Sequence, residues 1–433
     1  MMKRFVPLIL GIFLLLGPHE STAMSYEEEH DIAVEFISWL DSRNLIIYNK
    51  EITWTLQTLA DQLADQIKEP VYNYKIHLVR DRSVNAFAIP DGHIFINLGT
   101  LLFVKDIDEL ASVIGHEMGH CQLRHIPEAM AAQKKINIAT IVGFLAGTLL
   151  SSKNPEVGSA LIFSSLGGGE NIRLKYSRAH ENQADEFSKN ILPTAGFDPS
   201  GMARFLIRLR TRTSASDVPE YLLTHPYTQN RIAAVQKDAD SPKPEKRFWS
   251  LYASASGLLL SEEKAKERIK ELPEPYRRLA LGILKVRSNH PKEGLALLDG
   301  IETPQAYAWK GLALYSMGKT EEAIPYLKRY SLSFETNLAL ADIMEKNGQI
   351  EEAIRVLLPF KKHHPRVSYK LGILYRKSGD LCLAHVAFAR YFYYTKNYKA
   401  SLYHVDKALS CSNKLEREVQ DEMKAIKDTI KRQ

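Results

Sequence analysis

The sequence has little cysteine: three residues in 433, Cys121, Cys382 and Cys411. That excludes a disulfide-stapled scaffold, which needs a denser, even set. No apolar run approaches the roughly 20 residues required to cross a bilayer as a helix. Nor is there a block of lysine or arginine. The net charge of +6 is spread along the chain, so a nucleic-acid module is not expected. "SSLGGGEN", Ser164–Asn171, is rich in glycine but lacks the lysine and spacing of a phosphate loop, and reads as a connector. What is present is 45% hydrophobic and 25% charged, the balance of a globular protein, in a chain long enough for two domains.

The first residues have the order of an export signal. Lys3 and Arg4 precede an apolar run from Phe5 to Gly17, and Ser21-Thr22-Ala23 supplies the small residues of a cleavage site, with cleavage expected after Ala23. No cysteine follows the run, so no lipid anchor is expected. The mature chain is expected in the periplasm, where Cys382 and Cys411 are candidates to pair. Cys121 reads as a small buried residue. A second apolar stretch, Ile138–Leu150, is also too short to span, and reads either as a core helix or as a flap touching membrane or partner.

Two regions differ in grammar. The polar, two-proline segment Asp238–Arg247 separates them, giving expected units at 1–23 (signal), 24–240, 241–250 (linker) and 251–433. The first large unit reads as mostly helical with a small sheet. "VNAFAIPDGHIFINLGTLLF" gives two short strands around a Pro90-Asp91-Gly92 turn, then a helix. The second is repetitive. Gly318, Gly348 and Gly379 lie 30 and 31 residues apart, and Ala323, Ala353 and Ala384 follow each by five. A further copy carries Asn397 at the glycine position, and "SNHPKEGLALLDG" is a degenerate earlier one. Glycine permits the turn between antiparallel helices and alanine their close approach, so a solenoid of tetratricopeptide-like repeats is expected, with a concave face suited to a protein segment.

The chemistry concentrates in "VIGHEMGHCQLRH". His116 and His120 stand at i and i+4, on one helical face, and can share a metal ion. Asp106 and Glu109 offer a capping box at the start of this helix. Glu117, between the histidines, has no structural reason to be there and is the candidate general base. His125 lies nine residues after His116, half a turn away, and is not an expected ligand. Leu123 and Ile126 stand where the metzincin pattern needs glycine and histidine. A third ligand is offered by "SRAHENQADEF": Glu181 and Asp185 are again i and i+4, the first suited to ligate and the second to accept the outer N–H of a ligating imidazole. His180 is the alternative ligand, and Glu186 reads as a solvated charge. Two histidines and a glutamate leave one tetrahedral position open, the mark of catalytic rather than structural zinc, with one ion per chain. The ion makes hydroxide available near neutral pH. Glu117 would then take and return the proton during peptide hydrolysis.

"GHEMGHCQLRH", "SRAHENQAD" and "THPYTQNRI", in this order, resemble the metalloprotease family that includes the HtpX-type and CAAX prenyl proteases. The leader-like start and the repeats look most like its periplasmic BepA-type branch. The resemblance implies a mainly α fold: a zincin-like protease domain followed by an α-solenoid. It implies zinc on His116, His120 and Glu181, catalysis by Glu117, and a functional acid at Asp185, which in such families is at times described as a proton donor. It also implies work on misfolded or stalled outer-membrane proteins, with the repeats docking them or an assembly machine; the alternative is a chaperone or adaptor whose protease is mostly closed. In related zinc proteases an edge strand binds extended substrate, and Ile94, Phe95, Ile96 and Asn97 are the candidates for that strand; the alternative is a hairpin packed on the core. His225, held extended by Pro226, is a candidate either to stabilise an oxyanion or to occupy the fourth zinc position at rest.

Overall fold

The computed structural model describes residues 24–131, 138–151, 177–211, 220–225, 246–331, 333–361 and 364–431. The expected leader, the Ser164–Asn171 connector, Pro226 and the segment 226–245 lie outside them.

The first region contains α1 (Tyr26–Ser42), α2 (Lys50–Ala64), β1 (Lys75–Val79), β2 (Ala86–Ile89), β3 (His93–Asn97), α3 (Leu98–Phe103), α4 (Ile107–Gln122), α5 (His125–Ala131), α6 (Ile138–Ser151), α7 (Arg178–Ile191), α8 (Gly201–Thr211) and α9 (Glu220–Thr224). The sheet order is β1-β3-β2, with β3 parallel to β1 and antiparallel to β2. This corrects the assignment of the substrate strand. Ile94, Phe95, Ile96 and Asn97 belong to the middle strand, whose main-chain groups already face partners on both sides. Every residue of that strand is buried, as an uninterrupted run such as "HIFIN" suits. The edge strand next to helix α4 is β2, Ala86–Ile89.

Helix α4 carries the histidine motif through the core; Ile107 to Cys121 are all buried. Asp106 caps it, accepting from the Glu109 N–H at 2.8 Å. The reciprocal half of the capping box is replaced: Glu109 turns its carboxylate to the Lys105 N–H at 2.9 Å and to the Arg208 guanidinium. Gly115 and Gly119 open a lane for α7. A Cβ on Gly119 would stand 2.9 Å from the Ala184 Cα, and one on Gly115 2.7 Å from the Ser188 Oγ. This close approach brings α7 against the metal-motif face. Helix α6 packs on α1 and buries Val142, Ala146 and Leu149 beside Phe36 and Phe95, so Ile138–Leu150 is a core helix. Among the described residues no helix is long and apolar enough to cross a membrane.

The second region is a run of helices: α10 (Lys246–Leu259), α11 (Glu262–Ile269), α12 (Tyr276–Arg287), α13 (Pro291–Leu298), α14 (Pro304–Ser316), α15 (Thr320–Arg329), α16 (Phe334–Lys346), α17 (Ile350–Leu357), α18 (Pro365–Ser378), α19 (Leu381–Tyr394), α20 (Tyr398–Leu409) and α21 (Arg417–Lys431). Gly318, Gly348 and Gly379 have φ of +76°, +76° and +88°, the left-handed turn that glycine adopts without strain. In the next copy that conformation belongs to Lys396 (φ +61°), not Asn397, which instead caps α20 by accepting from the Ala400 N–H. Asn289 (φ +63°) plays the part in the earliest copy. Five residues after each turn comes a buried small residue: Gly294, Ala323, Ala353, Ala384 and Ser401. Cys382 and Cys411 form a disulfide joining α19 to the turn after α20, while Cys121 is a free, buried thiol.

The two regions share one apolar cluster, besides smaller clusters that belong to each alone. Helix α10 begins at Lys246, inside the expected 241–250 linker, and packs on α2 and α3. Phe248, Leu251 and Tyr252 are buried there, and the Tyr252 hydroxyl donates to the Leu102 carbonyl at 3.1 Å. A single apolar cluster runs from Ile47 to Ile343. The boundary visible in composition is therefore not a boundary in packing.

Candidate metal centre

Four side chains converge between α4, α7 and the end of α9. Donor atoms of His116, His120, Glu181 and His225 all lie within 4.8 Å of one another, and all four residues are buried. The separations are 3.1 Å from His120 Nε2 to His116 Nε2 and 3.3 Å from His116 Nε2 to His225 Nδ1. Glu181 oxygens lie 3.5 Å from each of the two motif Nε2 atoms and 3.0 Å from His225 Nδ1. Metal–ligand bonds of about 2.0–2.1 Å in a tetrahedron require edges of about 3.3 Å. The donor set therefore fits one tetrahedral ion in size as well as in chemistry. Glu117, fully buried, stands at the rim with Oε1 3.5 Å from His225 Nε2.

The outer nitrogens of the motif histidines have distinct partners. His116 Nδ1 meets Asp185 Oδ1 at 2.9 Å, which turns the Nε2 lone pair inward. His120 Nδ1 meets His125 Nδ1 at 2.9 Å, and His125 Nε2 meets the Gln183 side-chain oxygen at 3.1 Å. Since the amide oxygen only accepts, His125 carries its proton on Nε2 and accepts from His120 Nδ1–H. The His120 Nε2 lone pair then faces the cluster. Burial pushes His125 down to about 4, with nearby His180 adding to the effect, so it stays neutral for this task.

Burial would likewise lower His116, but the Asp185 and Glu181 carboxylates outweigh it and raise the imidazole to about 9. Burial opposes charge on Glu181, yet His225 and His116 hold its carboxyl well below the usual range. His120 is pushed down by burial and by its imidazole neighbours His116 and His225. Such mutual dependence of buried carboxylate and imidazoles is what a divalent cation would satisfy.

His180 is not in the cluster. Its ring stacks on His125 at 4.3 Å, and it faces Glu128 at 3.7 Å. Glu186 is exposed. Reading the sequence assigned no role to His125, Gln183 or Tyr221. His125, one turn beyond the motif, supports a candidate ligand without being one. Tyr221 had no signal at all. Its ring stacks on His225 at 4.5 Å, while its N–H donates to the Val84 carbonyl at 3.1 Å. Thr224 adds a 3.4 Å contact to Asn85. The short helix that presents His225 is thus fastened to the chain entering β2.

Tetrahedral donors on paired helices, a glutamate beside them and a small sheet at their flank define a metallopeptidase domain. Residues 50–239 match the profile of Peptidase family M48, and residues 304–330 that of a tetratricopeptide repeat. The first region is therefore similar to an M48 peptidase domain, and it is followed by repeats. More particularly, the chain is similar to the beta-barrel assembly-enhancing protease of Yersinia pestis, at 29% identity over 53% of this chain and 47% of that one. It is similar to its Escherichia coli K12 counterpart at 26% identity over 79% and 75% of the two chains. Metalloprotease LoiP of Escherichia coli K12 is 32% identical over 36% of this chain and 58% of its own. The chain spans about half the length of the Yersinia pestis relative.

Proposed function

We propose that this protein is an exported zinc endopeptidase acting on outer-membrane proteins that fail to assemble. The observation that carries the reading is the convergence of His116, His120 and Glu181, with Glu117 beside them. Zinc held by those three residues would supply a Lewis acid for the scissile carbonyl and lower the pKa of water to about 7. Glu117 accepts a proton from the attacking water as the new C–O bond forms. It hands that proton to the amine as the C–N bond breaks. Asp185 orients His116, and its contact with a ligand ring rather than with the rim favours this over proton donation.

His225 is read as the resting occupant of the fourth corner. Its support is the 3.0 Å and 3.3 Å separations from Glu181 and His116, and its complete burial. The same contacts favour the second reading, a chaperone or adaptor whose protease is mostly closed. The leader-like start and the Cys382–Cys411 disulfide support an oxidising compartment such as the periplasm. The substrate class follows the names of the relatives, and the repeats are read as the docking surface for it or for an assembly machine.

Glu117→Gln should keep one zinc per chain, abolish hydrolysis, and trap clients that co-purify from the periplasm. Zinc retained after replacement of both His116 and Glu181 would sink the ligand set. His225→Ala should give unregulated cleavage; slower cleavage would restore the oxyanion role, and unchanged behaviour would remove both.

A further inference from the structure

Glu29 lies far from the metal motif in sequence and is fully buried. A buried carboxylate is tolerated only when its oxygens are well paired. This one collects donors from separate parts of the domain. The Tyr72 hydroxyl donates to it, as does the Asp91 N–H at 3.4 Å in the β2–β3 turn. Arg124 donates through Nε at 3.0 Å and also through Nη2. Arg124 in turn bonds the Met24 carbonyl and lies over the Tyr26 ring at 4.6 Å.

Arg124 occupies a particular position. It follows Leu123, the C-cap of α4, with φ of +52°, a conformation costly for a side-chain-bearing residue. Its N–H bonds back to the Cys121 carbonyl at 2.9 Å, and its own carbonyl receives the Glu128 N–H, starting α5. The next residue is His125, whose Nδ1 meets His120 Nδ1. The turn at Arg124 thus decides where the His125 ring arrives.

We propose that Glu29 is a positioning residue for the metal centre: by holding Arg124 in its left-handed turn, it sets His125 against His120. The proposal rests on the reading of His120 as a ligand through Nε2. Losing a direct partner of a metal-bound histidine typically costs 10–100-fold in metal affinity. Glu29, two links further out through Arg124, should be worth about tenfold, at the lower end of that range.

The test is zinc affinity of the full chain, measured by competition with a chromophoric chelator, alongside thermal melting. Glu29→Gln should weaken zinc about tenfold, and His125→Phe by at least as much. The double variant should bind no more weakly than His125→Phe alone, because both changes act on one ring. Glu109→Gln breaks a comparable buried pair with Arg208 at the other end of α4, where no ligand is supported. It should lower the melting temperature and leave zinc affinity unchanged. Unchanged affinity in Glu29→Gln, additive losses in the double variant, or an equal loss in Glu109→Gln would each overturn the proposal. Tyr72→Phe, which removes one donor only, serves if Glu29→Gln does not fold, and should show a smaller loss of the same kind. Failure of the ligand reading is seen separately, as zinc binding by the parent that does not depend on His120.

Discussion

Replacing Asp185 separates orientation of a ligand from donation of a proton. Asp185 Oδ1 lies 2.9 Å from His116 Nδ1, with side chains 11% and 0% exposed, so water does little to screen the pair. Hydrogen bonds to a charged group contribute about 1.5–3 kcal/mol and neutral ones about 0.5–1.5. Asp185→Asn keeps an acceptor but loses the charge, for a difference of about 1–1.5 kcal/mol, roughly tenfold in affinity. Asp185→Ala removes the acceptor as well, freeing the ring to rotate, and should reach the 10–100-fold range seen when such partners are lost. Chelator competition reads the affinity, and peptide turnover at saturating zinc reads what remains. The expected order of zinc binding is parent, Asn, Ala, with turnover largely restored by excess metal. Parent-like affinity in both variants, together with lost turnover at saturating zinc, would refute the orienting role and favour proton donation.

Ending the chain at Arg247 removes Phe248, Leu251 and Tyr252 from α2 and α3. At about 1.5–3 kcal/mol for each large buried side chain, this approaches the whole stability of a domain. The fragment should show no cooperative melt, and one matching the full chain would refute the shared core. Acid should destabilise the fold through His77 and His93, which burial holds at about 3 and about 4 against an ordinary 6.5. Their contribution is complete above pH 6.5. It is lost as pH falls towards 4, because the unfolded chain then binds protons that the folded chain refuses. Melting between pH 7 and pH 5 should therefore fall less in His77→Phe; an equal fall would assign the effect elsewhere. Lys396→Gly should stabilise by about 0.5–1 kcal/mol, relief of the left-handed turn exceeding the entropy added to the unfolded chain. Denaturant midpoints would show it, and a loss of stability would contradict the turn assignment.

Much of the site was legible because helical spacing is a strong constraint. His116 with His120, and Glu181 with Asp185, needed only the 3.6-residue period to be placed on facing surfaces. The glycine and alanine intervals exposed the repeats for the same reason. Sheet order was not legible, because the short apolar run around Ile94 suits a middle strand as well as an edge strand. The strand Lys75–Val79, which pairs with it, went unrecognised. The turn of the last repeat falls one residue before the Asn397 expected from the sequence, since Lys396 adopts a conformation usually left to glycine or asparagine. The linker is polar on average, while Phe248, inside its expected bounds of 241–250, is already part of the core. Partners joined only by tertiary folding, such as Glu29 with Arg124 or Tyr221 with His225, leave no periodic trace.

The shared core also changes what a cut in the chain would mean. A cut in the polar segment 238–245 would break one peptide bond and leave the contacts of α10 with α2 and α3 in place. The product would be two polypeptides held by the apolar surface of α10 against α2 and α3, migrating together in native conditions and apart in denaturant. Complementation should follow the same logic: the two halves, made as separate chains, would have to find each other before either could finish folding. Helix α10 and the helices up to α16 thus complete the interior of the first region as well as beginning the second.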